Sequence, residues 1–402
     1  MTASSQPDRA RLAVVLSHPT QYYSPWFRWI QAEGGLNLRV FYLWDAGVKL
    51  HRDPQFGRDL AWNVDLCSGY LHEFVPNTAR RPTTGRFFGL RNPGLLPRLE
   101  AFRPDALLIF GYAFASHLRV IAWAGRRRVP LIFRGDSHFL GRRPFQGLKG
   151  LVIRQVYRRF SAFTCTGVAN RNYFESLGVP RDRLHFAPHS VDASRFDPSN
   201  RTMQRESADL RNRLQIDPDD RIVLFAGKFV PTKQPVELLE AFLALALPGT
   251  TLVMVGDGSE RGTLETRLAA AGERSRRVRL LPFANQLEMP AVHLLASLFV
   301  LPSRGLHETW GLAVNEAMHM GVPCLVSNLV GCQQDLVVDG QTGWVFDASD
   351  RSALRQTLAR ALRELEQNRD RRRAAVLDRI AGYTYKQTTS GLQQALHTAL
   401  NR

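Results

Sequence analysis

The segment that decides the fold spans residues 301–346, and residues 302–318 within it read Pro-Ser-Arg-Gly-Leu-His-Glu-Thr-Trp-Gly-Leu-Ala-Val-Asn-Glu-Ala-Met. Two carboxylates, Glu308 and Glu316, bracket the predicted start of a helix, and a polar turn that contains glycine lies between them. The first turn of a helix offers unpaired N–H groups and a partial positive charge to an anion or a hydroxyl group. Carboxylates on either side accept hydrogen bonds from hydroxyl groups. The pattern therefore indicates a site for a ligand that carries both phosphate and hydroxyl groups.

Around this segment, short apolar runs alternate with stretches of helical periodicity, which is typical of a doubly wound parallel sheet. The strands predicted in the first half of the chain are residues 12–17, 38–43, 106–110, 131–133, 162–166 and 184–187. Those predicted in the second half are residues 221–226, 251–255, 278–281, 298–301 and 323–326. The clearest predicted helices are residues 113–127, 234–247, 354–368 and 385–400. The polar stretch 194–220 separates the two series and is predicted to be an interdomain linker.

The composition is that of a globular protein with room for two hydrophobic cores, since 44% of the 402 residues are hydrophobic. We find no run of about 18 or more apolar residues, and so we expect no membrane-spanning helix. The first nine residues are polar and lack the apolar core of a signal peptide. The spacing of the four cysteines fits no metal site, which predicts free thiols in the reducing cytoplasm. These are Cys67, Cys165, Cys324 and Cys332.

The positive charge of the chain is concentrated in its first half. The net charge is +17, and residues 1–195 contain 28 basic and 13 acidic side chains, an excess of 15. Such an excess indicates an anionic partner: phospholipid headgroups, a pyrophosphate-linked acceptor or nucleic acid. The sequence contains no helix-turn-helix, zinc-finger or RNA-binding signature, so we predict no specific nucleic acid.

Two basic segments are candidates for contact with an anionic membrane surface. Residues 80–91 combine arginines with Phe87 and Phe88 in a turn-rich loop. Residues 142–159 carry cations around apolar side chains at helical spacing, as in helices that lie on a bilayer. The alternative for this helix is packing into the core with a solvated basic rim.

The residues around the two glutamates resemble the signature of the retaining glycosyltransferases of family 4, which have the GT-B fold. The family motif is a glutamate, seven residues and a second glutamate, here Glu308 and Glu316. The turn that usually reads Gly-Phe-Gly-Leu is Thr309-Trp310-Gly311-Leu312 in this chain. The resemblance covers most of the sequence and is strongest over residues 222–346.

This resemblance implies an α/β fold of the GT-B type, in which two Rossmann-like doubly wound domains face a central cleft. It implies an acceptor-binding domain at residues 1–195 and a nucleotide-sugar-binding domain at residues 196–380. The last helix, residues 381–402, would cross back to the first domain. Ligands of such sheets bind beyond the carboxyl ends of the strands.

The resemblance also implies roles for residues of the second domain. Glu308 is a catalytic candidate that holds the hydroxyls of the transferred sugar, and Glu316 would hold the ribose. Lys228 and Lys233 occupy the positions of the family's Arg and Lys and would bind the diphosphate, with Lys228 lacking the bidentate fork of arginine. The turn residues Thr309, Trp310, Gly311 and Leu312 complete the donor contacts. Phe283 lies where the family lines the nucleobase pocket, although core packing explains it equally well.

Three residues of the first half are further candidates. Asp136 stands at the end of a predicted strand where the family often has histidine, and His138 follows two residues later. Either of them contacts the donor sugar or helps to take the acceptor proton. His18 follows the first strand, where most members have a Gly-Gly loop, and is predicted to reach the cleft at the acceptor side. Residues 187–192 replace the family's Pro-Asn-Gly-Val-Asp and are predicted to shape the hinge.

Two acidic turns of the second half are predicted to be structural. Residues 217–219 match the Asp-x-Asp pattern that binds metal in the other glycosyltransferase fold, but their position before a strand predicts a polar turn. In the turn after strand 251–255, Asp257 or Ser259 is predicted to cap the next helix.

The activity implied is transfer of a sugar from a nucleotide diphosphate sugar to a glycan or lipid-linked acceptor, as in cell-surface polysaccharide or glycoconjugate synthesis. Family members retain the anomeric configuration and use neither a metal nor another cofactor. From the free thiols and the two basic segments we expect a cytoplasmic location, with peripheral contact to the inner face of the membrane as a candidate. One alternative is a GT-B-fold sugar-nucleotide epimerase, which converts the donor without an acceptor. A basic nucleic-acid-binding protein is the less favoured alternative.

Overall fold

The computed structural model describes residues 10–49, 51–53, 58–145, 147–305, 308–365 and 367–402. Residues 1–9, for which the sequence predicts no signal peptide, lie outside the described residues. So do Leu306 and His307 of the opening segment, residue 146 of the second basic segment and residue 366 of a predicted helix.

The first half of the chain forms a seven-stranded parallel sheet in the order β5-β2-β1-β6-β7-β8-β9. Its strands are β1 (Arg11–Leu16), β2 (Asn37–Tyr42), β5 (His72–Phe74), β6 (Ala106–Phe110), β7 (Leu131–Arg134), β8 (Ala162–Cys165) and β9 (Leu184–Phe186), and a separate antiparallel pair consists of β3 (His51–Asp53) and β4 (Arg58–Leu60). The helices of this half are α1 (Tyr23–Ala32), α2 (Leu95–Phe102), α3 (Ala115–Arg127), α4 (Gly147–Tyr157) and α5 (Val168–Ser176).

The second half forms a six-stranded parallel sheet in the order β12-β11-β10-β13-β14-β15. Its strands are β10 (Arg221–Ala226), β11 (Thr250–Val255), β12 (Val278–Leu281), β13 (Leu298–Leu301), β14 (Cys324–Ser327) and β15 (Gly343–Phe346). Its helices are α6 (Arg201–Arg213), α7 (Pro235–Leu245), α8 (Arg261–Ala270), α9 (Met289–Leu294), α10 (Leu312–His319), α11 (Gln333–Leu336), α12 (Ala353–Leu365), α13 (Arg369–Ile380) and α14 (Tyr385–Leu400). Two doubly wound sheets were predicted, and the structure confirms them.

The central strands are apolar because helices cover both faces of each sheet. In β1, the side chains from Leu12 to Val15 are all 0% exposed. One face of the first sheet packs against α1 and α14, and the opposite face packs against the layer that contains α2, α3, α4 and α5. The second sheet is likewise enclosed by two apolar clusters. Both sheets therefore direct the carboxyl ends of their strands and the following loops to a cleft between the halves.

The C-terminal helix crosses back to the first half, as the resemblance implied. Gly391 of α14 lies so close to β9 that a Cβ atom at this position would be 2.0 Å from the carbonyl oxygen of Phe186. On the next turn, the Trp26 indole N–H of α1 donates to the Thr389 hydroxyl at 2.9 Å. The last helix thereby fastens the end of the chain to the first sheet.

The prediction that residues 194–220 form a linker was wrong for the middle of that stretch, which contains α6. The Asn200 side chain caps this helix and accepts hydrogen bonds from the N–H groups of Thr202 and Met203. Leu210 and Leu214 pack against the core of the second half. The helix is otherwise largely solvated, so its composition resembles that of a linker although its cap and apolar contacts are those of a folded element.

The predictions for the two acidic turns had different outcomes. Residues 217–220 form a turn closed by a hydrogen bond from the Asp220 N–H to the Asp217 carbonyl at 3.0 Å, as predicted. The cap prediction for α8 was wrong, because Glu260 occupies the N-cap position and its side chain makes no capping hydrogen bond. The Asp257 carboxylate instead accepts from the N–H of Gly258 at 2.9 Å within the preceding loop.

The four cysteines are free thiols, and three of them are buried. Within the described ranges, no helix combines the length and the apolar character needed to cross a bilayer.

His117 of α3 lies in the hydrophobic core of the first half and is expected to make the stability of the fold depend on pH. It is fully buried against Phe114, and neither ring nitrogen has a hydrogen-bond partner within the described part of the chain. Burial lowers the pKa of His117 to about 3. Since the folded-state pKa lies below the unfolded value, the unfolded chain binds the proton, and stability is lost as the pH falls below about 6.5.

We therefore expect His117→Leu to remove part of the acid sensitivity. Between pH 7 and pH 5, the free energy of unfolding of the parent protein should fall by roughly 2 kcal/mol more than that of the variant. Urea denaturation at the two pH values measures this difference. His397→Leu, at an exposed histidine of α14, is the control and should behave like the parent. Equal acid sensitivity of parent and His117→Leu would contradict the expectation.

Candidate active site

A pocket of about 470 Å³ opens in the cleft between the two sheets, where the loops after the strands meet. The first half contributes Gln21, Tyr22, Trp62 and Asp136 to its lining. The predicted residues that line it from the second half are Lys228, Lys233, Phe283, Glu308, Thr309, Trp310, Gly311, Leu312 and Glu316. Four separate loops of the second half, those after β10, β11, β12 and β13, converge here, so residues far apart in sequence surround one space.

Glu308 lies in the loop between β13 and α10. Its side chain is 11% exposed and forms an ion pair with Lys233. The Ser303 hydroxyl donates to the same carboxylate at 2.8 Å. The carboxylate is thus oriented by two groups of its own domain while it faces the pocket. It can accept hydrogen bonds from ligand hydroxyls and stabilise a positive charge that develops nearby.

Glu316 lies one turn into α10 and is 3% exposed. Its two oxygens have different partners: the Tyr22 hydroxyl donates to Oε1 at 3.2 Å, and the His293 Nε2 lies 3.3 Å from Oε2. Burial and the charge of Glu316 raise the pKa of Tyr22 well above its usual value. Tyr22 therefore keeps its proton. Its hydroxyl occupies one hydrogen-bond acceptor position of Glu316 that a ligand hydroxyl would otherwise take.

The turn before α10 is shaped by Gly311 and Trp310. Gly311 adopts φ 99°, and a Cβ atom there would be 2.9 Å from the Val330 side chain, so the turn requires glycine. The Trp310 indole points into the core, where its N–H donates to the Asn315 side chain at 2.7 Å. Trp310 thus fixes the start of the helix, and Gly311, Leu312 and Ala313 at the N-terminus of α10 line the pocket.

The two lysines belong to the loop that follows β10. This loop is held against the loop after β11 by the Phe229 N–H, which donates to the Asp257 carbonyl at 2.8 Å. The contact is so close that a Cβ atom at Gly256 would be 1.9 Å from the Gly227 carbonyl oxygen. Lys228 and Lys233 both line the pocket. Fixed cations next to a helix N-terminus form an environment suited to a diphosphate.

Asp136 reaches across from the end of β7 to the other domain. The Thr309 hydroxyl donates to its Oδ2 at 2.8 Å, and the His189 Nε2 lies 3.4 Å from the same oxygen. Burial alone would raise the pKa of Asp136, but the close contact with His189 and the hydrogen bond from Thr309 lower it to about 2. Burial lowers the pKa of His189. Asp136 is therefore a carboxylate at neutral pH, positioned at the pocket wall.

The structure places His138 and His18 away from the pocket lining. His138 is 1% exposed; its Nδ1 accepts from the Leu140 N–H at 3.1 Å, which leaves the proton on Nε2 to be donated to the Glu308 carbonyl at 3.3 Å. It thus links the two domains behind the pocket. The His18 Nδ1 lies 2.9 Å from the Ser17 hydroxyl, and its ring packs edge-on against Trp44 with centroids 6.3 Å apart.

Phe283 is half-buried at the far end of the pocket, where it faces an aromatic ring of the other domain. The ring centroids of Phe283 and Trp62 are 6.5 Å apart. Next to them, the Asn285 amide donates to the Ala61 carbonyl at 3.0 Å, which joins the two domains. The two ring planes are inclined at 52° to each other, so they form an aromatic corner of the pocket against which a planar ring can pack.

Sequence reasoning missed four residues that the structure brings to the site: Tyr22, Trp62, His189 and His293. Tyr22 and His189 belong to the two loops that depart from the family pattern, and that departure was the available signal. Neither Trp62 nor His293 lies in a motif, and the sequence offered no signal for them.

Comparison with known proteins identifies the family of the chain. The model of the glycosyl transferases group 1 matches residues 206–377, and the model of Glycosyltransferase Family 4 matches residues 32–195. A D-inositol 3-phosphate glycosyltransferase of Nocardia farcinica is 31% identical over 365 residues, which cover 82% of this chain and 78% of the relative. A GDP-mannose-dependent alpha-(1-6)-phosphatidylinositol monomannoside mannosyltransferase of Mycolicibacterium smegmatis is 31% identical over 57% of this chain and 58% of its own.

Solved structures show the same fold at low sequence identity. HepE of Anabaena in complex with UDP and glucose superimposes with a TM-score of 0.69 at 16% identity, over 97% of this chain and 100% of that one. WaaG, a glycosyltransferase involved in lipopolysaccharide biosynthesis, superimposes with a TM-score of 0.62 at 16% identity, over 96% of this chain and 99% of that one. The predicted GT-B architecture is confirmed. Because both family models match and a relative 31% identical spans most of the chain, this protein belongs to the family 4 glycosyltransferases of group 1 and is an enzyme that uses nucleotide sugars.

Proposed function

We propose that the protein is a retaining, metal-independent glycosyltransferase that transfers a sugar from a nucleoside diphosphate sugar to a glycan or lipid-linked acceptor in the synthesis of cell-surface glycans. The observation that carries this proposal is the convergence of Glu308, Glu316 and the two lysines on one pocket at the N-terminus of α10. Its groups match the parts of such a donor in order: sugar at Glu308, diphosphate at the lysines and ribose at Glu316. The base would pack against Phe283 and Trp62 at the end of the pocket.

In the proposed reaction, the bond between the anomeric carbon and the leaving phosphate oxygen breaks. A bond from the acceptor oxygen to the same carbon forms on the same face, so the configuration is retained. The leaving phosphate oxygen takes the acceptor proton, and the products are the glycosylated acceptor and a nucleoside diphosphate. Lys228 and Lys233 stabilise the negative charge that develops on the diphosphate, while Glu308 stabilises the positive charge on the sugar.

Asp136 is proposed to contribute from the opposite wall as a carboxylate that contacts the donor sugar. Its low pKa and its place beside Thr309 suit a hydrogen-bond acceptor better than a proton donor. His138 and His18 contribute indirectly in this proposal. His138 holds the backbone of Glu308, and His18 belongs to the loop that also positions Tyr22, at the acceptor side of the cleft.

The acceptor is proposed to be polyhydroxylated and linked to a phosphate or a lipid. The names of the relatives support this, since they include glycosyltransferases for inositol 3-phosphate and for a phosphatidylinositol mannoside. The excess of cations in the first domain favours an acceptor that carries negative charge.

The test is thermal stability against a panel of nucleoside diphosphates and their sugar conjugates. A ligand at a hundredfold excess over its Kd stabilises the native state by roughly 2.7 kcal/mol. We expect nucleotides of one base to stabilise the protein more than the others. We expect Glu316→Ala to weaken the binding of that nucleotide by about 10- to 100-fold, because a hydrogen bond to a charged group is lost. Tyr22→Phe should keep the shift, because it removes only the competing hydroxyl.

Glu206→Ala, at an exposed glutamate of α6, is the control and should bind like the parent. No shift with any ligand in the folded protein would overturn the donor site. With the donor known, the anomeric configuration of the product, followed by NMR in the presence of EDTA, tests retention and metal independence. Conversion of the donor sugar without an acceptor would favour an epimerase instead.

A further inference from the structure

Helix α4 has apolar side chains on two opposite faces. Its inner face buries Ile153 and Tyr157 in the core of the first domain. Its outer face carries Leu148, Leu151 and Val152, which are 77%, 58% and 54% exposed. The spacing of the outer residues follows the helical period, so they form one stripe along the surface. A contiguous apolar stripe is unfavourable in contact with water. Such stripes mark surfaces that bind another molecule or a membrane.

The stripe continues across a shallow groove onto α3. The groove has a volume of about 750 Å³ and is lined by residues of both helices, including Leu118 and Ile121 of α3 and Val156 of α4. Leu118 is itself 38% exposed. The apolar surface therefore spans two neighbouring helices of the same layer, which presents a broad face rather than a single ridge. We call this surface, formed by Leu118, Leu148, Leu151 and Val152, the α3–α4 face.

Cations surround the α3–α4 face without acidic partners nearby in the sequence. Residues 137–174 contain seven lysines and arginines and no aspartate or glutamate. Arg126 and Arg159 border the groove; Arg154 of α4 and Arg158, which directly follows the helix, are exposed. Long cationic side chains keep their charge in a polar layer while their stems lie along apolar surface.

A second site of the same character is anchored to the start of α3. In the loop of residues 80–91, Phe88 is 64% and Phe87 41% exposed, and four arginines accompany them. The Ser116 hydroxyl, in the first turn of α3, donates to the Leu90 carbonyl at 3.2 Å and accepts from the Asn92 N–H at 2.9 Å. The loop is thus fastened to the helix that borders the groove. Two exposed apolar sites with basic rims are connected through α3.

We propose that the α3–α4 face, together with Phe87 and Phe88, docks the first domain onto an anionic phospholipid bilayer. The bilayer supplies both phases that the surface requires: anionic headgroups for the arginines and an apolar interior for the leucines and phenylalanines. Nucleic acid offers the charge without the apolar phase. A second copy of this chain would bring the same positive charge to the interface and be repelled. The inference is independent of the donor site.

The experiment is flotation of the whole protein with vesicles of phosphatidylcholine alone, or with about 30% phosphatidylglycerol, at low and high salt. We expect binding to the anionic vesicles and a decrease with salt. The variant Leu148→Gln/Leu151→Gln/Val152→Gln should reduce this binding at least about tenfold. Its matched control is Leu71→Gln/Leu287→Gln, which changes two exposed leucines elsewhere.

A second variant tests charge without altering the apolar stripe. Arg154→Gln/Arg158→Gln should weaken binding to anionic vesicles, whereas Arg201→Gln/Arg205→Gln, which removes the same charge from α6, should not. Circular dichroism and stabilisation by the nucleotide confirm that each variant is folded. Equal binding by the parent and the Leu148, Leu151 and Val152 variant would overturn the proposal. So would equal binding to neutral and anionic vesicles, or self-association through this face with no vesicle binding.

Discussion

Replacing Glu308 with alanine is expected to lower kcat by about 10²- to 10³-fold while changing the Kd of the donor by less than about threefold. The carboxylate faces the pocket and is oriented by Lys233 and Ser303. Its charge is most valuable when the sugar becomes positively charged as the diphosphate leaves, so its loss affects the transition state more than the bound donor. The loss also releases Lys233 for the diphosphate, which compensates donor binding.

Steady-state kinetics at saturating acceptor and donor titration by calorimetry separate the two effects. Glu308→Gln keeps the size of the side chain and should lose nearly as much turnover as alanine, because the charge is the essential property. Glu206→Ala controls for removal of a carboxylate elsewhere in the domain. A Glu308→Ala enzyme with unchanged kcat and weakened donor binding would show that the residue only binds the sugar.

Replacing Lys233 with alanine is expected to lower kcat/KM for the donor by about 10²- to 10³-fold, with loss in both donor affinity and turnover. The lysine has two functions in the structure: it lines the pocket as a cation, and it forms an ion pair with Glu308, whose side chain is 11% exposed. Its removal deprives the diphosphate of a positive charge and leaves a largely buried carboxylate unpaired.

A double-mutant cycle with Glu308→Ala distinguishes these two effects. If the unpaired carboxylate causes part of the loss, the double variant will lose less than the two single variants together. Lys386→Ala, at an exposed lysine of α14, is the control for loss of a cation. Unchanged affinity of Lys233→Ala for the nucleoside diphosphate would refute the assignment of this lysine to the diphosphate.

Local sequence patterns predicted most strands of the two sheets and the clearest helices. The bounds of β6, β10, β12, β13 and α14 match the predicted ranges, because buried parallel strands are short apolar runs and helices show their period directly. The two misjudged segments were polar. In α6, the cap at Asn200 and the contacts of Leu210 and Leu214 outweigh a composition typical of linkers. At the start of α8, the Asp257 carboxylate accepts from the Gly258 N–H within its own loop and does not reach the helix.

For the candidate site too, some residues were found from the sequence and others only from the structure. The paired glutamates were candidates from the residues themselves, and the resemblance to the family implied the two lysines and the Trp310-Gly311 turn. Each of these features lies within one loop of one domain, so a local motif is enough to point to it. By itself the sequence determined the two sheets, the C-terminal helix and these loops. Only the tertiary structure decided that Tyr22 bonds to Glu316, that His189 approaches Asp136 and that Trp62 faces Phe283. These contacts join different domains or distant loops, so they depend on how the sheets are oriented across the cleft, which no local periodicity encodes.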